Sequence, residues 1–120
     1  MNHLLINAIF PNEPVAWERV SGHGSRVFKP KKTRQAQAAL ARGLKCVAPK
    51  LKPDSHSRFG VQVVFSTRSF RKDGDNCLKL LLDAFNGRVW ADDSQIDEYQ
   101  VKMKRGATIP QTHFIAYIIH

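Results

Sequence analysis

The sequence predicts an α+β fold, a single small domain in which a mixed β-sheet carries two main helices. Three observations lead there. Residues 59–67, FGVQVVFST, alternate Val61, Val63 and Phe65 with smaller or polar neighbours, the two-residue period of a half-buried strand. Residues 34–47, RQAQAALARGLKCV, repeat Ala36, Ala39, Leu40, Gly43, Leu44 and Val47 at helical spacing and turn Arg34, Arg42 and Lys45 toward solvent. The length of 120 residues suits one core, one that buries roughly two-thirds of the unfolded chain's surface.

The remaining elements follow in chain order. LLINAIF (4–10) is a short apolar strand that stops at Pro11. VAWERV and SRVFKP flank the glycine-rich SGHG, which reads as a hairpin. Thr33 is the expected N-cap of the first helix, which ends before Pro49. Residues 48–58 have loop composition and lead into the strand at 59–67. NCLKLLLDAFNG is a second helix: Asp75 or Asn76 caps its start, Leu78, Leu81, Leu82 and Phe85 line one face, and Asn86-Gly87 stops it. IDEYQVKMKR alternates Tyr99, Val101 and Met103 as a half-buried strand, and THFIAYII closes the fold as another.

Charge is distributed unevenly. Nineteen Lys and Arg against ten Asp and Glu give a net +9, which makes a polyanion the expected partner class. Seven of the ten acids lie between Asp73 and Glu98 with only Lys79 and Arg88 as bases, so that window carries −5 and the rest of the chain +14. Interspersed charge is the ordinary condition of a solvated surface. Segregation of this kind fits a cation site of carboxylates set in a surface that attracts phosphate. No apolar run approaches the ~18 residues of a membrane span, and the N-terminus lacks a signal peptide's charged start and cleavage site. The chain is therefore expected to be soluble and cytoplasmic, with no membrane partner. Cys46 and Cys77 fall in different helices and the five histidines show no paired spacing, so neither a disulfide framework nor a zinc site is indicated.

The acids concentrate in two stretches, RKDGDN (71–76) and WADDSQ (90–95). The first stands where a strand leads into a helix N-terminus, whose free N–H groups and dipole favour ionised carboxylates. Asp75 and Lys79 are four apart and share a helical face beside the leucines. Asp92 or Asp93 reaches the helix start only if the helix folds back across the sheet. Three carboxylates meeting at ~4 Å would repel by roughly 4 kcal/mol per pair at an effective dielectric near 20. A cation relieves that repulsion, and an all-oxygen donor set selects Mg²⁺, with Mn²⁺ as a substitute. Structural readings stand beside this one: Asp73-Gly74 as a turn, Asp75 as a cap, Asp92-Asp93 as a loop, Lys79 and Asp83 as a surface i,i+4 pair, and Trp90 as a packed anchor.

DGDNCLKLLLDAF followed by GRVWADDSQ resembles the D-x-D-N-x-x-K…DA…G…W-x-D-D-x-Q signature of the RusA family of Holliday-junction resolvases. Upstream, ERVSGHGSRVFKPKKTRQAQ resembles that family's Arg-containing hairpin, glycine turn and aromatic-x-Pro-x-x-Thr approach to the first helix. The likeness spans most of residues 11–105 and implies a RusA-like domain over residues 1–120. Matched by position, Asp73, Asp75 and Asp93 resemble the essential carboxylates, with Asp92 beside them as a further ligand, Lys79 the active-site lysine and Asn76 the adjacent amide. The resemblance implies a Mg²⁺-dependent endonuclease of bacterial or phage origin. Such an enzyme resolves four-way DNA junctions by paired nicks in recombination and repair, and does so as a homodimer.

Positive charge outside the window would hold the DNA. Lys29, Lys31, Lys32 and Arg34 cluster before and within the start of the first helix, and Arg68, Arg71 and Lys72 precede the acids. Arg19 and Arg26, in the hairpin, are further candidates. Two other nucleic-acid readings share the same charge: a metal-independent DNA-binding module, and an endonuclease selective for branches or single strands without junction preference. A protein-interaction domain is a weaker alternative, since it leaves the carboxylates without a purpose.

Overall fold

The alternation at residues 59–67 places that strand in the interior of a sheet. The structure is a computed structural model that describes residues 2–18 and 29–120. In it β2 (Arg58–Thr67) buries Val61, Val63 and Phe65 almost completely. It pairs parallel with β3 (Ile96–Arg105) on one side and antiparallel with β4 (Gln111–Ile119) on the other. β4 in turn pairs antiparallel with β1 (Asn2–Pro11), so the mixed sheet has the order β1-β4-β2-β3. The two edge strands are therefore β1 and β3.

One face of this sheet carries Ile6, Ala8 and Phe10 from β1, Phe114 and Ala116 from β4, and Val61, Val63 and Phe65 from β2. Helices α1 (Lys31–Val47) and α2 (Gly74–Phe85) pack on this face. Phe85 of α2 stands 5.0 Å from Phe114 and 5.9 Å from Phe10, ring centre to ring centre, which fixes the helix over β4 and β1 by contacts of ordinary aromatic geometry. α1 carries Gly43 where the Phe10 ring passes: a Cβ there would meet the ring at 2.7 Å. On the opposite face the Tyr117 ring lies across Gly60 to donate to Glu98 Oε2 at 2.6 Å, and it leaves no room for a Cβ on that glycine.

Several local expectations differ from the structure. Thr33 does not cap α1, because the helix already starts at Lys31 after Pro30, whose fixed φ of −56° serves as the lead-in; Thr33 is its third residue and is buried. Asp73, not Asp75 or Asn76, caps α2. Val47 is 53% exposed because the last turn of α1 runs past the core, and Tyr99 is 51% exposed because β3 is an edge strand. Of the expected hairpin, Val15–Glu18 form no strand, and its turn and the greater part of its second arm, with Arg19 and Arg26, lie outside the described residues. Cys46 and Cys77 are both free, and burial pushes the Cys77 thiol up to about 11. No helix of the described residues is long and apolar enough to cross a membrane.

Candidate functional site

The loop between β2 and α2 is built from short-range polar bonds. Ser69 Oγ accepts from the N–H groups of Arg71 and Lys72, both at 3.1 Å, and turns the chain toward the helix. Asp73 Oδ1 then accepts from Asp75 N at 2.9 Å and Asn76 N at 3.4 Å, which satisfies two of the orphan donors at the start of α2. Asn76 Nδ2 stands 3.4 Å from Asp73 Oδ2. Asp75, in the first turn, is exposed and makes no side-chain hydrogen bond among the described residues. The helix start rests on β3, since a Cβ on Gly74 would meet Met103 Sδ at 3.1 Å and Val101 Cγ1 at 3.9 Å.

The second acidic stretch is held from the other side. Trp90 is fully buried, edge-on to Phe59 and Phe114, with its indole N–H bonded to Asn86 Oδ1 at 2.8 Å, so the reading of Trp90 as a packed anchor holds. Asp92 caps a 3₁₀ turn (Asp93–Gln95) that precedes β3, with its Oδ2 3.1 Å from Ser94 N. Ser94, through hydroxyl and N–H, holds the Asp92 carboxyl below the usual range. Gln95 is buried and bonds in two directions: its Oε1 accepts from Ala91 N and Asp92 N, and its Nε2 donates to the carbonyls of Asp54 and Ser57. Asp93 makes no side-chain hydrogen bond among the described residues. Burial first, then the charges of Asp93 and Asp97, push the Tyr99 phenol up.

Tyr99, Val101 and Met103 share one face of β3 by alternation. The start of α2 rests on Val101 and Met103, whereas Asp93 lies in the turn that precedes Ile96, toward the N-terminal end of the strand. Among the described residues no three His, Cys, Asp or Glu side chains are grouped closely enough to hold one ion. The other acids of the window are occupied. Asp83 accepts from Lys29 Nζ at 2.9 Å and Gln37 Nε2 at 2.8 Å, bonds that lower its pKa against the opposing effect of burial. Asp97 pairs with Arg58 at 2.5 Å and Glu98 with the Tyr117 hydroxyl. Of the seven acids, Asp75 and Asp93 alone lack a side-chain partner among the described residues.

Lys79 does not pair with Asp83; its ammonium sits over the Trp17 ring, 3.8 Å from the centre, while Lys29 and Gln37 both bond Asp83 Oδ2. Of the basic candidates, Lys31, Lys32, Arg34, Arg68 and Arg71 are exposed. Lys29 is engaged by Asp83, and Lys72, with a side chain 16% exposed, donates to the Pro14 carbonyl and faces Glu13 at 3.6 Å.

Sequence reasoning missed Glu13, Trp17, Gln95 and Phe70, which is 74% exposed in the loop before the acids. A signal for Glu13 was present. It is one of only three acids outside the acidic window, and an acid that survives in a strongly basic surround has a specific partner to meet.

The family described as endodeoxyribonuclease RusA matches residues 11–114, which takes in β1's last residue, both helices, both acidic stretches and β3. No curated protein matches the sequence.

Proposed function

Because the chain belongs to the RusA family of endodeoxyribonucleases, we propose that it is a divalent-metal-dependent endodeoxyribonuclease that resolves four-way DNA junctions by paired nicks. The observation that carries the reading is the pair of partner-free carboxylates, Asp75 at the start of α2 and Asp93 in the turn before β3, in a chain of net charge +9. Carboxylates with no partner of their own in a strongly basic chain are available to a cation or to substrate.

The donor set fits a hard cation. Mg²⁺ keeps several waters and commonly takes one or two carboxylates plus substrate phosphate, so a three-acid cage is not required. Asp73 and Asp75 would hold it at the start of α2, with waters and a substrate phosphate completing its shell and Mn²⁺ as a substitute, and Asp93 would join them from the turn before β3 only if bound DNA and ion draw the two stretches together. When bound, such an ion polarises a phosphodiester and lowers the pKa of a water. Asp73 serves twice, since Oδ1 is spent on the helix cap and Oδ2 meets only the Asn76 amide, which orients it. Lys79 supplies a point charge for a phosphate oxygen. Asp92 is bound into the cap of the 3₁₀ turn, which favours Asp93 as the acid that acts.

The basic surface supports DNA binding. α1 opens with Lys31, Lys32 and Arg34 and has no acid in its first turn. Cations at a helix N-terminus oppose the helix dipole, an arrangement that bound phosphate relieves. Arg68 and Arg71 add charge beside Asp73 and Asp75. A junction has two-fold symmetry, and a C₂ homodimer supplies two sites to match it. Action on DNA in bacteria or their phages places the protein in the cytoplasm.

The test is cleavage of a synthetic four-way junction, a Y-fork and linear duplex, each in Mg²⁺, Mn²⁺, Ca²⁺ or EDTA. Paired nicks in the junction with Mg²⁺ or Mn²⁺, and none in EDTA or Ca²⁺, are expected. Equal cutting of forks and junctions would reduce the reading to a branch-selective nuclease. Tight binding with no cutting in any metal would leave a DNA-binding module, the reading favoured second because no three acids are grouped among the described residues. Sedimentation at twice 13.6 kDa is expected, and a monomer that still makes paired nicks would contradict the dimer.

A further inference from the structure

The short segment after β1 touches the acid-bearing end of α2 and the loop before it at several separate points. Glu13 Oε1 accepts from Thr67 Oγ1 at 3.0 Å and from Arg68 N at 2.7 Å, where β2 ends. Its Oε2 is buried without a hydrogen bond and lies 3.6 Å from Lys72 Nζ, so the charge of Lys72 is the group that answers it. The Pro14 carbonyl accepts from the same ammonium. Trp17 N donates to the Asn76 carbonyl at 2.9 Å, in the first turn of α2. The Trp17 ring then meets the Lys79 ammonium. These partners lie more than fifty residues away in sequence, so the contacts tie two distant stretches into one unit.

We propose that Glu13–Trp17 is a clamp on the candidate site, in which Glu13 fixes the loop that carries the basic residues and Trp17 is a positioning residue that holds Lys79 alongside Asp75. This rests on the nuclease reading above, in which Lys79 meets a phosphate oxygen. A lysine on an exposed helix surface is free to sample many rotamers and supplies charge without direction. An indole face is the best aromatic partner for a cation, and one 3.8 Å from Nζ confines that charge. Lys79 is one turn beyond Asp75 on the same side of α2, so Trp17 confines the ammonium on the helix face that carries the partner-free carboxylate. The Trp17 N–H bond attaches the indole's own backbone to α2, so ring and ammonium move with one helix and their spacing survives motion of the loop.

A purely structural Trp17 would cover α2 and no more, and a double-mutant cycle on single-turnover cutting separates the roles. Lys79→Met is expected to slow cutting about 100-fold, and Trp17→Leu about tenfold. Junction affinity should change by less than about twofold in Trp17→Leu, because the effect lies on the chemical step. In the Lys79→Met background Trp17→Leu should have no further effect, and Trp17→Phe should restore most of the rate. Independent slowing in the double variant, or a normal rate in Trp17→Leu, would overturn the clamp and leave the nuclease intact. Normal cutting by Lys79→Met would instead overturn the role of Lys79 in the nuclease reading. The wild-type protein gives a readout without variants or cutting: the Lys79 ε-methylene protons should show an upfield ring-current shift in NMR, and random-coil values would overturn the contact itself.

Discussion

The two acidic stretches use the same local device on different supports. At the start of α2 and at the 3₁₀ turn before β3, the first aspartate of each pair caps backbone N–H groups, and the second, Asp75 or Asp93, has no side-chain partner among the described residues. Asp73 caps a twelve-residue helix whose start is braced by Glu13–Trp17, whereas Asp92 caps three residues that depend on Gln95 and the buried Trp90. The comparison teaches that a capping carboxylate makes its successor rigid. Once the chain turn is fixed by one acid, the next projects from a backbone of known direction, where its charge can be used for chemistry.

The strongest way to break this comparison is to neutralise the two free acids. Asp75→Asn and Asp93→Asn keep shape and remove charge, and each should slow junction cutting at least ~100-fold while binding stays as tight as wild type or tightens. Asp92→Asn should cut within about threefold of wild type, since an Asn caps as well as an Asp. Binding and cleavage gels run side by side decide the matter. Loss of cutting in Asp92→Asn with normal cutting in Asp93→Asn would reverse the roles of the second pair.

Next in size is the dependence of each pair on its support. Gln95→Ala removes four hydrogen bonds around Asp92 and leaves the Asp92 N–H and the Ser57 carbonyl without the partner that Gln95 gives them, so stability should fall by about 2 kcal/mol and Tm by about 8 °C. Asp73→Ala removes a helix cap, at about 1 kcal/mol and about 4 °C. Thermal melts followed by circular dichroism measure both. A smaller shift for Gln95→Ala than for Asp73→Ala would show that the short turn is held by Trp90 packing and not by the glutamine.

What could be read from the sequence was whatever a short window decides. The Val61-Val63-Phe65 alternation records burial on one face and the structure places those residues so, whereas the helical spacing holds in part: Leu44 is buried but Val47 exposed in α1, and α2 buries Leu80 with Leu81, Leu82 and Phe85 while Leu78 is half-buried. The acids were legible for the same reason, as a local excess of charge. Caps were not, because the choice between Pro30 and Thr33, or between Asp73 and Asp75, depends on the backbone angles of a single residue. Partners distant in sequence were not legible either. The i,i+4 rule offers Lys79 to Asp83, yet Lys29 and Gln37 take that carboxylate and Trp17 takes the lysine, each more than forty residues away. Exposed i,i+4 ion pairs contribute only about 0.3–0.5 kcal/mol, which two convergent partners or an aromatic face can exceed.

The smallest effect concerns the charge of the capping acid itself. Hydrogen bonds from Ser94 lower the folded pKa of Asp92 beneath its unfolded value of ~3.9. Ionised Asp92 therefore favours the folded state wherever the unfolded chain is also ionised, and this contribution is complete above about pH 5. As pH falls, the unfolded state takes up the proton first. The contribution then declines from about pH 4 and is gone once pH has passed below the lowered folded value. Asp92→Asn retains the cap and lacks the titration. The difference in urea midpoint between wild type and Asp92→Asn should thus be constant from pH 7 to about pH 5, and shrink through the acid range. Asp92 is exposed and salt screens it, so the difference should also be smaller in 1 M salt than at low ionic strength. A difference that holds unchanged to the lowest pH would mean that Asp92 stabilises the turn as a neutral cap.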